Sequence, residues 1–114
     1  IDEFTSLLTT ISSLPHFAIT GDFNVHVNNP SDPHTLQLTS ILSDFNLSQL
    51  VSFPTHTSGN TLDLFIYQPC PLYSPAATCL PATPSDHFAI LTTLNVSTPP
   101  PPLSLLASFA ASKP

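Results

Sequence analysis

Three short polar clusters flank apolar stretches of this sequence, and their side chains could do acid–base or metal chemistry. Asp22 and Asn24 follow one apolar run, and Asp63 lies inside "TLDLFIY". Asp86 and His87 directly precede the apolar run "FAILTTLNV". Carboxylate and amide oxygens suit Mg²⁺ or Mn²⁺, and a histidine beside a carboxylate can transfer protons. The pattern therefore indicates metal-assisted or acid–base chemistry if the fold brings the clusters together.

Each cluster also has an ordinary structural explanation. Aspartate and asparagine are common turn residues, so "GDFN" alone is equally consistent with a strand-to-turn junction. "SDH" can cap an element, and "GNTLD" can be a turn that enters a strand. Asp63 is harder to explain in this way, because an acid between two leucines needs a partner. The three clusters in this order are more informative than any one of them.

The surrounding pattern predicts the elements that must position these side chains. Apolar spacing predicts a helix over residues 1–14, and Asp32 with Pro33 predicts the start of a second helix over residues 33–45. The second helix is expected to direct these residues inward: Leu36, Ile41, Leu42 and Phe45. Strands are predicted over these ranges: 16–20 (stopped by Gly21), 47–52, 61–67, 73–79 and 87–96. This order indicates a mixed α/β layer structure whose neighbouring strands share an edge.

Composition limits the functions that the chain can perform alone. The 114 residues suggest one domain, and only 7% of them are charged. Lys113 is the only basic residue apart from histidine, and the formal net charge is -6. A nucleic-acid function would therefore need basic residues from elsewhere or a metal ion to meet the phosphate. Two cysteines without a CxxC motif indicate buried or incidental thiols. No apolar run is long enough for a membrane span, so no membrane partner is expected. No signal peptide is expected either, because the sequence does not begin with a basic segment followed by an apolar stretch.

The C-terminal part of the sequence changes character after residue 97. Four consecutive prolines at 99–102 favour a polyproline II spacer. Residues 103–112, "LSLLASFAAS", are interpreted as a short helix outside the core. The expected division is a folded part over residues 1–97 and a proline-rich linker with a short tail over residues 98–114.

Together, "ITGDFNVH", "HTSGNTLDLFIY" and "SDHFAI" resemble the C-terminal motifs of the endonuclease/exonuclease/phosphatase superfamily. Within it they are most similar to the endonuclease domain of non-LTR (LINE-type) retrotransposons, over about residues 4–96. The resemblance implies an α/β fold, the C-terminal half of a four-layer (DNase I-like) sandwich with one mixed sheet and flanking helices. It implies Mg²⁺- or Mn²⁺-dependent DNA nicking in the nucleus before target-primed reverse transcription. Its implied partners are DNA, an N-terminal half of the fold, and a reverse transcriptase domain downstream in the parent protein.

The resemblance also implies roles for individual residues. Asp22 would orient or activate the attacking water, and Asn24 would hold that water or a phosphate oxygen. Asp86 would bind the metal, with Asp22 as a second metal-binding acid. His87 would act at the scissile phosphate, either as a base or as a stabiliser of developing charge. Asp63 would pair with that histidine and orient it.

Three further residues are expected around the site, and the family pattern is incomplete in this chain. Thr61 and Ser85 are expected to support the site, and His26 is interpreted as a loop residue first and a substrate contact second. The family's early asparagine, metal-binding glutamate and DNA-gripping groups have no counterpart, since Glu3 is the only glutamate and lies outside such a motif. The chain is therefore expected to be inactive alone. A non-catalytic retrotransposon-derived fragment, or a phosphatase or deoxyribonuclease of the same superfamily, are the alternatives.

Overall fold

The computed structural model describes residues 2–14, 16–80 and 84–96, and the backbone of residues 105–108. The chain is a small mixed α/β structure, as predicted. Its elements in chain order are α1 (Asp2–Ile11), β1 (Phe17–Asp22), α2 (Pro33–Asp44), β2 (Ser48–Gln49), β3 (Asp63–Tyr67), β4 (Tyr73–Leu80), β5 (Ala89–Val96) and β6 (Leu105–Ser108). No helix in the described residues is long and apolar enough to cross a membrane.

The strands form two sheets in place of the single mixed sheet expected, because β4 and β5 pair only with each other in the described residues; the larger sheet positions two of the predicted acids. Its order is β2-β3-β1-β6, with β1 antiparallel to β3 and parallel to β6. In the β1–β3 register Asp22 is the direct partner of Asp63. The smaller sheet is the antiparallel pair β4–β5.

The larger sheet is covered on both faces, which gives three layers. One face packs against both helices, through buried side chains such as Phe4 and Leu8 of α1, Leu38 of α2 and Ile19 of β1. Successive side chains of a strand point to opposite faces of the sheet, so every second residue of β1 and β3 faces away from the helices. There Ala18, Val51 and Phe65 pack against the β4–β5 sheet, including Ile90 and Leu94. The order of the layers is helices, four-stranded sheet, two-stranded sheet.

Two local predictions are wrong. Gly21 does not stop β1, which continues to Asp22. Gly21 has a φ of 147°, a conformation that glycine adopts readily, and the strand passes through it. In α2, Leu36 does not face inward, since its exposed fraction is 58% whereas that of Leu38 is 2%. Two residues that are two positions apart lie on nearly opposite sides of a helix, so only one of these leucines can reach the core. Of the other predicted inward residues, Leu42 is buried, while Ile41 and Phe45 pack partly buried against the core.

The predicted helix in the C-terminal tail is also wrong over residues 105–108. This segment is β6, and it pairs in parallel with β1 from Phe17 to Thr20. Pairing with an edge of the sheet satisfies backbone groups that local sequence preference would have placed in a helix. The polyproline prediction for residues 99–102 and the domain division near residue 97 fall outside the described residues, so both stay predictions.

Candidate functional site

The site begins with two acids that oppose each other across neighbouring strands. Like charges at directly paired positions of a sheet repel each other, so the Asp22–Asp63 register needs a compensating group. His87 supplies it: its Nδ1 lies 2.7 Å from Asp63 Oδ2 and its Nε2 lies 3.7 Å from Asp22 Oδ2. The imidazole therefore lies between the two carboxylates, and the sheet and the segment before β5 meet there.

The backbone holds His87 in this position. Segment 55–57, which precedes β3, forms an antiparallel bridge with segment 86–88, with His56 opposite His87. Two backbone hydrogen bonds of 2.8 Å flank the bridge, one on each side. The amide of His87 also donates to Ser85 Oγ at 3.1 Å. Ser85 therefore supports the turn that presents His87.

Thr55 positions Asp63, and sequence reasoning missed it. Its side chain is fully buried, and its Oγ1 accepts hydrogen bonds from the amides of Leu62 (2.9 Å) and Asp63 (3.1 Å). Its backbone carbonyl accepts from the amide of Phe88 at 2.8 Å. One threonine thus connects the start of β3 to the residue after His87. The sequence "FPTHTSGN" does not distinguish Thr55 from Thr57, because both are polar residues of a turn.

The two interpretations of "GDFN" are compatible, because they involve different oxygens of Asp22. Oδ1 accepts a hydrogen bond of 2.9 Å from the amide of Asn24, which has a positive φ of 50°. This is the local turn contact typical of aspartate. Oδ2 is the atom that faces His87. The contact described for Asn24 is made by its backbone, so a role for its side chain stays a prediction.

The surroundings of His87 shift its titration. The hydrogen bond with Asp63 raises the pKa of His87, and partial burial opposes this. The negative charges of Asp63, Asp22 and Asp86 raise it further. The pKa of His87 therefore lies above its ordinary value, and the ring keeps its positive charge to a higher pH. A cation fixed beside two acids suits the stabilisation of an oxyanion.

We expect Asp63→Asn to lower the pKa of His87, because it removes the largest cause of the shift. A raised pKa in the folded chain means that His87 stabilises the fold fully below its unfolded pKa of about 6.5. This contribution is lost as pH rises through the pKa of the folded state. Imidazole titration by NMR measures the shift, and urea unfolding at pH 6 and pH 9 measures the stability. Asp44→Asn, at an exposed acid on α2, is the control; an unchanged His87 pKa in Asp63→Asn would contradict the assignment.

A second histidine–acid pair lies beside the first. His56 Nε2 is 3.3 Å from Asp86 Oδ2, and the His56 and His87 rings meet edge to face with centroids 4.8 Å apart. Partial desolvation would raise the pKa of Asp86, but the hydrogen bond with His56 and the nearby imidazole charges outweigh it and lower that pKa. His56 was missed by the sequence analysis, although it lies in the quoted motif "HTSGNTLDLFIY".

Two groups of possible metal ligands share His87. One contains Asp22 and Asp63, the other His56 and Asp86, and within each group one ligand atom per residue lies within 4.8 Å of the others. The predicted metal acids Asp22 and Asp86 therefore belong to different groups. The side chain of Asp86 is 68% exposed, so its carboxylate can approach an ion from solvent.

The contacts of two further predicted residues are structural. Thr61 is buried; its Oγ1 donates to the Phe53 carbonyl at 2.8 Å and its amide donates to Asn28 Oδ1 at 2.9 Å. His26 is exposed, and its carbonyl accepts a 2.7 Å hydrogen bond from Thr35. Thr61 was expected to support the site and His26 to be a loop residue; a role of Thr61 in the site and a substrate contact by His26 both stay predictions.

A cleft of about 410 Å³ runs between the two sheets beside Asp63. Its lining is largely apolar, with Phe65, Phe88 and Ile90 among the lining residues. The Asp63–His87 pair therefore lies at the border between an apolar cleft and the polar surface, where burial strengthens electrostatic interactions.

No family model, curated protein or solved structure matches this chain.

Proposed function

We propose that this chain carries part of a metal-dependent phosphodiesterase site of the endonuclease/exonuclease/phosphatase type, with DNA as its substrate. One observation carries the proposal: His87 lies between Asp63, at 2.7 Å, and Asp22, at 3.7 Å. A histidine oriented by a buried or half-buried carboxylate is a common device for proton transfer and charge stabilisation. The three motifs that resemble the superfamily supply these same residues.

The proposed roles follow from what each side chain contacts. Asp63 holds the Nδ1–H of His87, which fixes the ring and directs Nε2 toward the side of Asp22. With its raised pKa, His87 meets the scissile phosphate and stabilises the charge that develops there. Asp22 is held by the amide of Asn24 and orients the attacking water.

Mg²⁺ or Mn²⁺ is the proposed cofactor, and the donor chemistry fits it. Mg²⁺ keeps several waters and needs only one or two carboxylates together with substrate phosphates. The resemblance assigns the ion to Asp86 and Asp22; since these acids belong to different groups of possible ligands, either Asp86, whose side chain is exposed, or Asp22 would hold it together with phosphate oxygens. When bound, the ion would neutralise phosphate charge that a chain with a net charge of -6 cannot neutralise alone.

The finer proposal for the fold is half of a four-layer sandwich. The order helices, four-stranded sheet, two-stranded sheet supports it. The outer face of the β4–β5 sheet exposes Leu80 and Leu91, at 48% and 56%, which is where a further layer would pack. A reverse transcriptase domain in the parent protein remains part of the same proposal.

A non-catalytic chain is the second candidate, and the charge of the sequence favours it. One lysine, no arginine and a net charge of -6 give no basic surface for DNA. On this alternative, the His87 network stabilises the fold and does no chemistry. The two candidates make opposite predictions for nicking.

The test is nicking of supercoiled plasmid with Mg²⁺ or with EDTA. It uses the 114-residue chain and, in parallel, the chain extended by the sequence that precedes it in the parent gene. We expect Mg²⁺-dependent nicking by the extended chain, reduced at least about 100-fold in His87→Ala. His34→Ala, at an exposed histidine of α2, is the control. A phosphomonoester substrate is assayed in parallel, because a phosphatase would hydrolyse it whereas an endonuclease would cleave only the plasmid.

Nicking that survives His87→Ala would exclude the proposed role of this residue. No nicking by either chain would favour the non-catalytic candidate. Robust nicking by the 114-residue chain alone would show that no further part is needed.

A further inference from the structure

The group of His56, Asp86 and His87 differs from the carboxylate pair proposed for Mg²⁺, because two of its three members are imidazoles. One ligand atom from each lies within 4.8 Å of the other two. His56 Nε2 and Asp86 Oδ2 are 3.3 Å apart. Ligand atoms around a tetrahedral ion with bonds of about 2.0–2.1 Å are separated by roughly 3.4 Å. The distance between His56 Nε2 and Asp86 Oδ2 therefore already suits such a site. The exposed Asp86 side chain can move to bring the remaining ligand-to-ligand distances to the same length.

Both imidazoles are oriented through Nδ1. Asp63 Oδ2 lies 2.7 Å from Nδ1 of His87, and Ser58 Oγ lies 2.8 Å from Nδ1 of His56. Histidines that bind metals usually hold such an oxygen on the second ring nitrogen, which fixes the ring and makes Nε2 a better ligand. The Asp63 contact leaves Nε2 of His87 to face a metal, whereas Nε2 of His56 becomes a ligand only after its ring proton moves to Nδ1, where Ser58 Oγ can accept it.

We infer that His56, Asp86 and His87 form a binding site for a divalent transition ion such as Zn²⁺. Two imidazole nitrogens and one carboxylate are the ligand types that Zn²⁺ accepts, while Mg²⁺ prefers oxygen alone. Water or a substrate oxygen would take the fourth position. The site shares Asp86 and His87 with the proposed nuclease, but the inference concerns metal binding and is tested by binding alone, without any measurement of nicking.

Binding requires a change of tautomer at His56. The Ser58 amide donates to Nδ1 of His56 at 3.0 Å, which places the ring proton on Nε2, facing Asp86. When an ion bonds to Nε2, that proton moves to Nδ1, where Ser58 Oγ accepts it. The ring stays neutral, and the amide of Ser58 turns to solvent in an exposed turn. The change of tautomer gives the site a spectroscopic signature.

The experiment titrates the full 114-residue chain with Zn²⁺ alone, by calorimetry and by ¹⁵N NMR of the imidazoles. We expect one equivalent to bind, with changes at His56 and His87 and a shift of His56 from the Nε2–H to the Nδ1–H tautomer. Asp86→Asn and His56→Gln should each weaken binding at least tenfold, while His34→Gln leaves it unchanged. Mg²⁺ alone should bind at least 100-fold more weakly.

The exposed position of Asp86 makes Asp86→Asn a variant that keeps the fold, which the dispersion of its NMR spectrum checks. The inference is overturned if both substitutions leave Zn²⁺ affinity unchanged. It is also overturned if the imidazole signals of His56 and His87 do not move. Loss of binding only in a Cys70→Ser, Cys79→Ser chain would assign the ion to the free thiols instead.

Discussion

Thr55→Val is expected to lower the free energy of unfolding by about 2–4 kcal/mol, although it barely changes the volume of the side chain. The substitution removes the oxygen that accepts hydrogen bonds from the amides of Leu62 and Asp63. The Thr55 side chain is fully buried, so water cannot easily replace the lost acceptor. Each buried amide left without a partner costs about 1–3 kcal/mol. The start of β3, and with it the carboxylate of Asp63, would lose its fixed position.

Urea unfolding measures the stability of this variant, and the pKa of His87 reports on the position of Asp63. Thr55→Ser is the matched control, because it keeps the accepting oxygen and should cost no more than about 1.5 kcal/mol for the lost methyl group. A valine variant as stable as the serine variant would mean that Thr55 is only a packing residue. A lower His87 pKa in the valine variant alone would connect the buried hydrogen bonds to the site.

Phe4→Ala is expected to lower the free energy of unfolding by about 3–5 kcal/mol. Phe4 is only 1% exposed, and its ring meets that of Phe23 edge to face with centroids 5.0 Å apart. Removing the ring leaves a cavity between α1 and the sheet. A domain of this size has only about 5–15 kcal/mol of stability, so a large share would be lost. Phe23 directly follows Asp22, so packing of the Phe4–Phe23 pair also holds the backbone next to this site residue.

Denaturation by urea, followed by circular dichroism, measures this loss. Leu36→Ala is the control, because Leu36 is a large apolar residue with 58% of its surface exposed. That substitution should change the stability by no more than about 0.5 kcal/mol. Equal effects of the two substitutions would contradict the assignment of α1 to the core and of Leu36 to the surface.

Local physical chemistry made several features predictable from the sequence. The Asp32 side chain accepts a 2.8 Å hydrogen bond from the amide of His34 at the start of α2, and Pro33 occupies its first turn. Such caps act within a few residues, so the sequence contains all their parts. The burial cost of an acid between two leucines similarly indicated that Asp63 has a partner.

Features that depend on distant parts of the chain were not predictable. The burial of Leu38 in place of Leu36 is not such a case, because Leu38 lies three, four and seven positions before Ile41, Leu42 and Phe45 and therefore shares their helical face. Segment 105–108 is strand β6 because β1 offers it a parallel edge. The pairing of His56 with Asp86 joins residues 30 positions apart through the bridge between segments 55–57 and 86–88.

The sequence by itself determined the types of chemical group, the order of helices and strands up to residue 96, and the low charge that leaves the chain without a basic surface. Only the tertiary structure decided that Asp22 faces Asp63 across two strands and that His87 lies between them. It also decided that Thr55 anchors Asp63 and that His56 joins the site. The physical reason is the distance along the sequence over which each interaction acts. Caps and strand preferences act over a few residues, whereas strand register and buried hydrogen bonds depend on groups that meet only when the layers pack.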